Sequence, residues 1–410
     1  MTNSRGHNES ASTGLADPED SRSNCGVGGV VDLDGGASHE TVTEGLRLLK
    51  NLEHRGTTGA EEDTGDGAGL VIQRPDEFFE AVTDVSLPDE YAVGSIFMPR
   101  DEAAREGLMS IFERVLSTYD LEVLEWRSVP TDNSDLGATA VESEPDVYQA
   151  FVAPTESIED DDEFDRTLYI ARRAAEKEIS TLDSTGAARF YICSLSRQTV
   201  VYKGLLKGEQ LADYYTELND ERVKSTLTLV HARFSTNTLG AWHLAHPYRH
   251  IVHNGEINTI QGNINWMRSR ETDLSHPAFG DDLETIKPVI NDPDQSDTAS
   301  VDNAVELLLQ SDRELPHVLR MLIPEAYRGD DQMDSQRQAW YDYHASLVEP
   351  WDGPALVAAT DGDRIAAVLD RNGLRPCRYD ITTDNTLIMA SEVGALDPDP
   401  SEIRERGRLK

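Results

Sequence analysis

Ser23-Asn24-Cys25-Gly26-Val27-Gly28-Gly29 joins two unlike parts of the 410-residue chain. Residues 1–24 are rich in Ser, Asn, Asp, Glu and Gly, a composition that predicts a disordered leader or propeptide. From Val27 the sequence reads as a strand, Val27–Leu33. Cys25 therefore stands where a disposable tail meets the first core strand. Cleavage between Asn24 and Cys25 would put a thiol and a free α-amine on one residue, a nucleophile carrying its own base. An α-amine has a reference pKa of about 7.7–8, so part of it is neutral and proton-accepting at pH 7. Taken alone, Cys25 reads more readily as a small apolar residue packed at a strand start. The rest of the chain reverses that reading.

Downstream, Val42, Leu46, Leu49 and Leu52 recur at helical spacing and predict a helix over Glu40–Glu53, stopped near Gly56. Asp63-Thr64-Gly65-Asp66-Gly67-Ala68-Gly69 follows, then a short strand Leu70–Gln73. A dinucleotide fingerprint opens a helix, whereas this glycine run opens a strand. Its glycines are read instead as places where two backbones approach closely. Strands are expected over Tyr91–Met98, Leu121–Trp126 and Val147–Val152, with helices over Ala103–Tyr119 and Phe164–Ile179. The acidic run Glu159–Glu163 suits the start of the second helix, where the macrodipole favours negative charge. Phe190–Ser194 and Thr199–Tyr202 read as a strand pair. No internal repeat is visible.

The chain carries 37 Lys and Arg against 76 Asp and Glu, a formal net charge of −39. Acids are spread throughout and lysine occurs only seven times. This excludes the basic patch of a nucleic-acid surface and argues against an anionic membrane surface. It fits adaptation to high salt, where a Debye length of ~3 Å at 1 M relieves self-repulsion. Cys25, Cys193 and Cys377 make neither a disulfide framework nor an iron–sulfur ligand set, which fits a reducing cytoplasm. Residues 1–24 lack the apolar core of a signal peptide, and no apolar run is long enough to span a membrane.

The densest chemistry lies between Thr226 and Glu271. A buried strand pattern, Thr226–Val230, runs into His231-Ala232-Arg233-Phe234-Ser235-Thr236-Asn237. A second short strand ends in His253-Asn254-Gly255-Glu256-Ile257-Asn258, and a helix bearing Ile260, Ile264, Trp266 and Met267 follows. Polar side chains gathered at two strand ends describe a site on rigid supports. His231, His243, His246, His250 and His253 raise the question of a metal, but no carboxylate completes a ligand spacing and the flanking aromatics suit core packing.

Taken together, Cys25-Gly26-Val27-Gly28, His54-Arg55-Gly56, Thr64–Gly69, His231–Asn237 and His253–Asn258 resemble, in order and spacing, the class II glutamine amidotransferases. Within that family they look most like the glutaminase domain of the glutamate synthase large subunit. Later pieces agree: Ser296-Asp297 before a helix, Glu349–Pro354, Asp370–Pro376 and Ala390-Ser391-Glu392. The resemblance covers residues 25–410 and implies an α+β, four-layer αββα N-terminal nucleophile hydrolase fold, two stacked antiparallel sheets between helices. By position it implies Cys25 as nucleophile, with the Asn254 side-chain amide and the Gly255 N–H as oxyanion hole. Arg233 would take the glutamine carboxylate, bidentate binding being the strength of its planar fork, and Asp297 the ammonium. Thr236 and Glu256 would line the pocket, and Arg55 would support the nucleophile. Cys193 and Cys377 are expected to be inert, and the Gly373–Pro376 turn structural, with Arg375 packed on the core.

The resemblance implies ammonia for glutamate synthesis from 2-oxoglutarate. FMN and an iron–sulfur cluster are expected on a partner or on further domains, since this chain has neither the length nor the cysteines for them. Two alternatives stay open: an amidotransferase serving another synthase, and a catalytically silent regulatory copy.

Overall fold

The computed structural model describes residues 25–53, 61, 63–233, 240–292 and 295–409. In chain order the strands are β1 (Gly26–Asp32), β2 (Ala68–Gln73), β3 (Ala92–Met98), β4 (Leu121–Ser128), β5 (Asp146–Pro154), β6 (Tyr191–Ser196) and β7 (Thr199–Gly204). They continue as β8 (Leu227–Ala232), β9 (Ile251–Gly255), β10 (Ala355–Thr360), β11 (Ile365–Leu369), β12 (Arg378–Thr382), β13 (Thr386–Ala390) and β14 (Ile403–Arg408). One sheet has the order β14-β12-β13-β1-β8-β2-β7. The opposing layer is in two pieces, β4-β5-β3-β6 and β11-β10-β9. The ladders between these strands are antiparallel.

Side-chain alternation along a strand assigns the layers. Val252, Leu356 and Ala358 point inward and join Val27, Val71 and Leu229 in the core between the sheets. Their neighbours Ile251, Val357 and Ala359 face outward and pack with Val301, Val305 and Leu319 of the helices Asp297–Leu309 and Leu315–Leu322. Val93, Phe97 and Phe151 likewise face inward. Ala92, Ile96 and Val152 meet the helices Glu102–Ser117 and Asp161–Ser180. The helix His39–Asn51 lies on the far side of the large sheet, against β1 and β8. The result is the expected αββα stack, with the second sheet divided. Each fully buried Val, Leu or Phe in these layers contributes about 1.5–3 kcal/mol of burial.

Local chemistry explains the element boundaries. The helix Asp161–Ser180 starts where Asp160 accepts from the Glu163 N–H, so the acidic run does cap it. The helix His39–Asn51 is capped by Ser38, whose hydroxyl accepts from Thr41 N. The glycine-rich run performs the close approach read for it. A Cβ on Gly65 would lie 2.2 Å from the Leu206 carbonyl carbon, and one on Gly69 2.5 Å from the His246 carbonyl oxygen.

One expectation is corrected. The segments read as a strand pair become β6 and β7, and they belong to different sheets. Ser196 Oγ accepts from Gln198 N and Thr199 N, turning the chain at a corner between layers. Val201 N then donates to the Ser194 hydroxyl rather than to a ladder carbonyl. Of Ile260, Ile264, Trp266 and Met267 in the expected helix, here Ile260–Arg270, Ile264 is buried and Trp266 is about half exposed, at 52 %.

Candidate active site

Cys25 immediately precedes β1 and is buried. The register Gly26↔Ala232 places Arg233, the residue after β8, beside it. Arg233 has φ +96°, and its N–H donates to the Gly67 carbonyl at 2.8 Å. This ties it to the glycine-rich run, and its Nε lies 3.9 Å from Asp66 Oδ2. Asp66 is thus a site-lining residue that the sequence reading passed over as part of a packing motif.

Asn254 and Gly255 close β9, which packs face to face on β1 and β8. Asn254 is buried, and its side-chain oxygen has no hydrogen-bond partner among the described residues. Gly255 has φ +139°, a region that L side chains rarely adopt. A Cβ there would stand 1.8 Å from the Pro354 carbonyl oxygen. Glycine is therefore required for β9 to end against β10 in this way. Glu256 follows on the exposed rim, its N–H on Pro354 O at 3.2 Å.

Asp297 opens the helix Asp297–Leu309, whose N-cap Ser296 accepts from Ala299 N. Its Oδ2 accepts from Ile257 N at 2.8 Å and its Oδ1 from Thr298 N at 2.8 Å. A carboxylate at the first position of a helix is favoured by the macrodipole. Here it also fastens the end of β9 to that helix.

Behind these groups His231, His246 and His253 form a buried cluster. The His231 and His246 rings stack with centroids 4.1 Å apart. His231 Nε2 is 2.8 Å from the His253 carbonyl oxygen, and His253 Nδ1 is 2.9 Å from Thr298 Oγ1. Burial pushes the His231 imidazole down to about 3, and His246 and His253 also downward. Burial thus favours the neutral form of all three. His250 lies apart, with Nδ1 3.1 Å from Thr360 O. Among the described residues no group of three His, Cys, Asp or Glu side chains could hold a metal ion.

Burial also pushes the Cys25 thiol up, to about 11, while Arg233 and Arg375 pull it down and Asp297 pushes it further up. Arg375 corrects the reading that made it a core-packing residue. Its charge acts on both Cys25 and His253, so it belongs to the site. Its turn is built on Asp370, whose carboxylate accepts from the backbone N–H of Ala355, Asn372, Leu374 and Arg375. The same carboxylate therefore holds both the Arg375 turn and the start of β10, opposite Gly255. The turn lies 350 residues from Cys25 in sequence, and nothing local in it signals this contact.

Cys193 and Cys377 are buried, and burial raises their thiols to about 11 and about 12. Both values fit inert thiols. Arg55 and Thr236 lie outside the described residues.

The structure thus brings Cys25, Arg233, Asp297 and the Asn254–Gly255 corner to one place between the sheets, with Glu256 at its edge. A buried thiol lies beside a cation and within the field of an anion, near the strand end that carries Asn254 and Gly255, an arrangement able to receive a zwitterionic substrate.

Comparison with known proteins agrees. Over 400 residues the chain is 43% identical to the glutamate synthase [NADPH] large chain of Bacillus subtilis, covering 97% of this chain and 26% of that protein. It is 43% identical over 413 residues to the glutamate synthase [NADH] of Saccharomyces cerevisiae, covering 97% and 19%. It is 41% identical over 405 residues to the ferredoxin-dependent glutamate synthase 2, chloroplastic, of Arabidopsis thaliana, covering 96% and 24%. The chain thus spans about a fifth to a quarter of the length of these relatives. Residues 25–410 match the class-II glutamine amidotransferases, and the chain belongs to that family.

Proposed function

We propose that this chain hydrolyses glutamine to glutamate and ammonia through Cys25, and that the ammonia serves glutamate synthesis from 2-oxoglutarate. Residues 1–24 are a leader removed before Cys25, and residues 25–410 form the amidotransferase domain. The observation that carries the reading is the position of Cys25. It stands at the head of β1 beside Arg233, within the field of Asp297, and the family match begins at this residue.

In the processed protein the Cys25 α-amine takes the thiol proton as sulfur attacks the side-chain carbonyl carbon of glutamine. The Asn254 amide and the Gly255 N–H hold the oxyanion, each such donor being worth ~10²–10³ in rate. The amine returns the proton to the leaving nitrogen, which departs as ammonia and leaves a thioester. A water deprotonated by the same amine then releases glutamate and restores the thiol. Arg233 holds the substrate carboxylate and Asp297 its ammonium, with Thr236, Glu256 and Arg55 lining or supporting the pocket. FMN and an iron–sulfur cluster reside on the remainder of the synthase, and the assembly works in the cytoplasm. Among the described residues no helix is long and apolar enough to cross a membrane.

The test is ammonia release from glutamine by purified protein, with its N-terminus determined by mass spectrometry and Cys25→Ala as control. Active protein should begin at Cys25 and the variant should release no ammonia. Active material that retains Met1 or Thr2, or an active Cys25→Ala variant, would refute the proposal.

A further inference from the structure

Arg375 apart, the stretches Glu349–Pro354 and Asp370–Pro376 take no part in the chemistry proposed for Cys25. The structure nevertheless brings them together beside the Asn254–Gly255 corner. β9 ends at Gly255, and the chain turns through residues 256–259 into the helix Ile260–Arg270. The ladder with β10 stops at Gly255↔Ala355, so strand pairing gives out at the proposed oxyanion donor. Beyond it the corner is held by residues 352–354, which lead into β10. Pro354 O accepts from Glu256 N at 3.2 Å. Gly353 lies so close that a Cβ on it would stand 1.8 Å from Glu256 O. Asp352 meets Thr259 twice: its carbonyl accepts from Thr259 N at 3.2 Å, and its N–H donates to Thr259 Oγ1 at 2.9 Å. Residues 352–354 thus cross the corner as a strap.

The strap is fastened at both ends. Before it, Trp351 N donates to Leu322 O at 2.8 Å, and Pro350 O accepts from Asn263 Nδ2 at 3.0 Å. After it, Ala355 N is bound by Asp370 Oδ2. Between the two, the Asp352 carboxylate receives the Arg371 guanidinium side-on, at 2.7 Å from Nε and 2.5 Å from Nη2. A two-pronged bond of this kind fixes direction as well as distance, which the point charge of a lysine does not. Arg371 follows Asp370, whose carboxylate shapes the turn that carries Arg375. The ion pair therefore links the strap over the corner to the turn whose arginine acts on Cys25. Its side chains are 35 % and 36 % exposed, so it adds little to global stability. Its effect is on position.

We infer that Asp352 and Arg371 are positioning residues for the oxyanion corner. Their ion pair clamps the strap, and the strap keeps the Asn254 amide and the Gly255 N–H aimed at the oxygen that gains charge. Neither side chain touches substrate in this scheme. The inference rests on the proposed role of the corner in glutamine hydrolysis, where small displacements of a donor are costly.

The experiment measures ammonia release from glutamine, melting and amide exchange in the full chain and its variants. Asp352→Ala and Arg371→Ala should each lower kcat about tenfold, less than the ~10²-fold that a 1 Å misplacement costs. KM should stay within about threefold, since Arg233 and Asp297 stand on other elements. Because the pair acts as one clamp, the double variant should lose no more than the worse single variant. Arg371→Lys keeps the charge without the fork and should recover only part of the loss. Melting temperatures should move by only a few degrees. The Glu256 and Thr259 N–H groups, bound to the strap, should exchange about fivefold faster or more, while Ile257 N–H, bound to Asp297, should not. A kcat within about threefold of the parent in folded alanine variants would overturn the inference. So would single losses that multiply in the double variant, or unchanged exchange at Glu256 and Thr259. If the alanine variants do not fold, Asp352→Asn and Arg371→Lys are held to the same outcomes. A parent that releases no ammonia refutes the functional reading, and exchange at Glu256 and Thr259 still decides the clamp.

Discussion

Replacing Gly255 with alanine tests the oxyanion corner directly. The new Cβ would lie 1.8 Å from Pro354 O and 3.0 Å from Ala355 Cα. Ordinary contact requires about 3.4 Å, so one strand must shift by roughly 1.5 Å. β10 is not free to recede, because Ala355 N is tied to Asp370 Oδ2 at 3.1 Å and Leu356 is fully buried. β9 must therefore give, and the register Leu356↔Asn254 carries Asn254 with it. The positive φ adds about 1–3 kcal/mol of backbone strain. Moving an oxyanion donor by this distance should lower kcat by ~10²–10³, about 2.7–4 kcal/mol of barrier. Arg233 and Asp297 stand on other elements, so KM should change far less than kcat. The assay is ammonia release at saturating and limiting glutamine, with melting followed by circular dichroism to confirm folding. A folded Gly255→Ala variant with kcat within threefold of the parent would show that this corner does not hold the oxyanion.

Arg375→Ala should raise the Cys25 thiol further and lower kcat/KM about tenfold, one pKa unit being about 1.4 kcal/mol. Arg375→Lys should recover most of the loss, and alkylation rates of Cys25 against pH provide the check. The buried histidines should make the protein acid-sensitive. His231, His246 and His253 have folded-state values below that of the unfolded chain, so the unfolded state binds more protons as pH falls. Stability is then fully present above pH ~6.5 and falls by up to about 1.4 kcal/mol per pH unit for each group, for His231 down to about 3. Urea midpoints measured from pH 7.5 to 4.5 should show this slope, and His231→Gln should flatten it. With a net charge of −39, the melting temperature should rise as KCl is raised from 0.1 to about 2 M, and a fall would count against adaptation to salt.

Much of this site could be read locally. Strand-end clusters such as His253–Asn258 and the Ser296-Asp297 helix start carry their chemistry in neighbouring residues, and they fall where expected. The strands and helices with clear periodicity also fall within a few residues of the expected bounds. What failed was long-range. β6 and β7 look like a hairpin because only Arg197 and Gln198 separate them, and alternation cannot say whether a tight turn stays in one sheet or crosses to another. Arg375 was hidden for a similar reason. Its turn reaches Cys25 only because β13 pairs with β1 and Asp370 ties the turn to β10. Asp66 was obscured by the glycines around it, whose packing role is real but incomplete.

Cys25 hangs from the seven-stranded sheet, while Asn254 and Gly255 hang from the three-stranded piece of the opposing layer. The proposed nucleophile and the groups proposed to steady the negative oxygen are thus mounted on opposite jaws of a vice. Their alignment depends on how Val27, Leu229, Val252 and Leu356 mesh between those jaws. A methyl gained or lost there could retune turnover by sliding one jaw along the other, with every reacting group still intact.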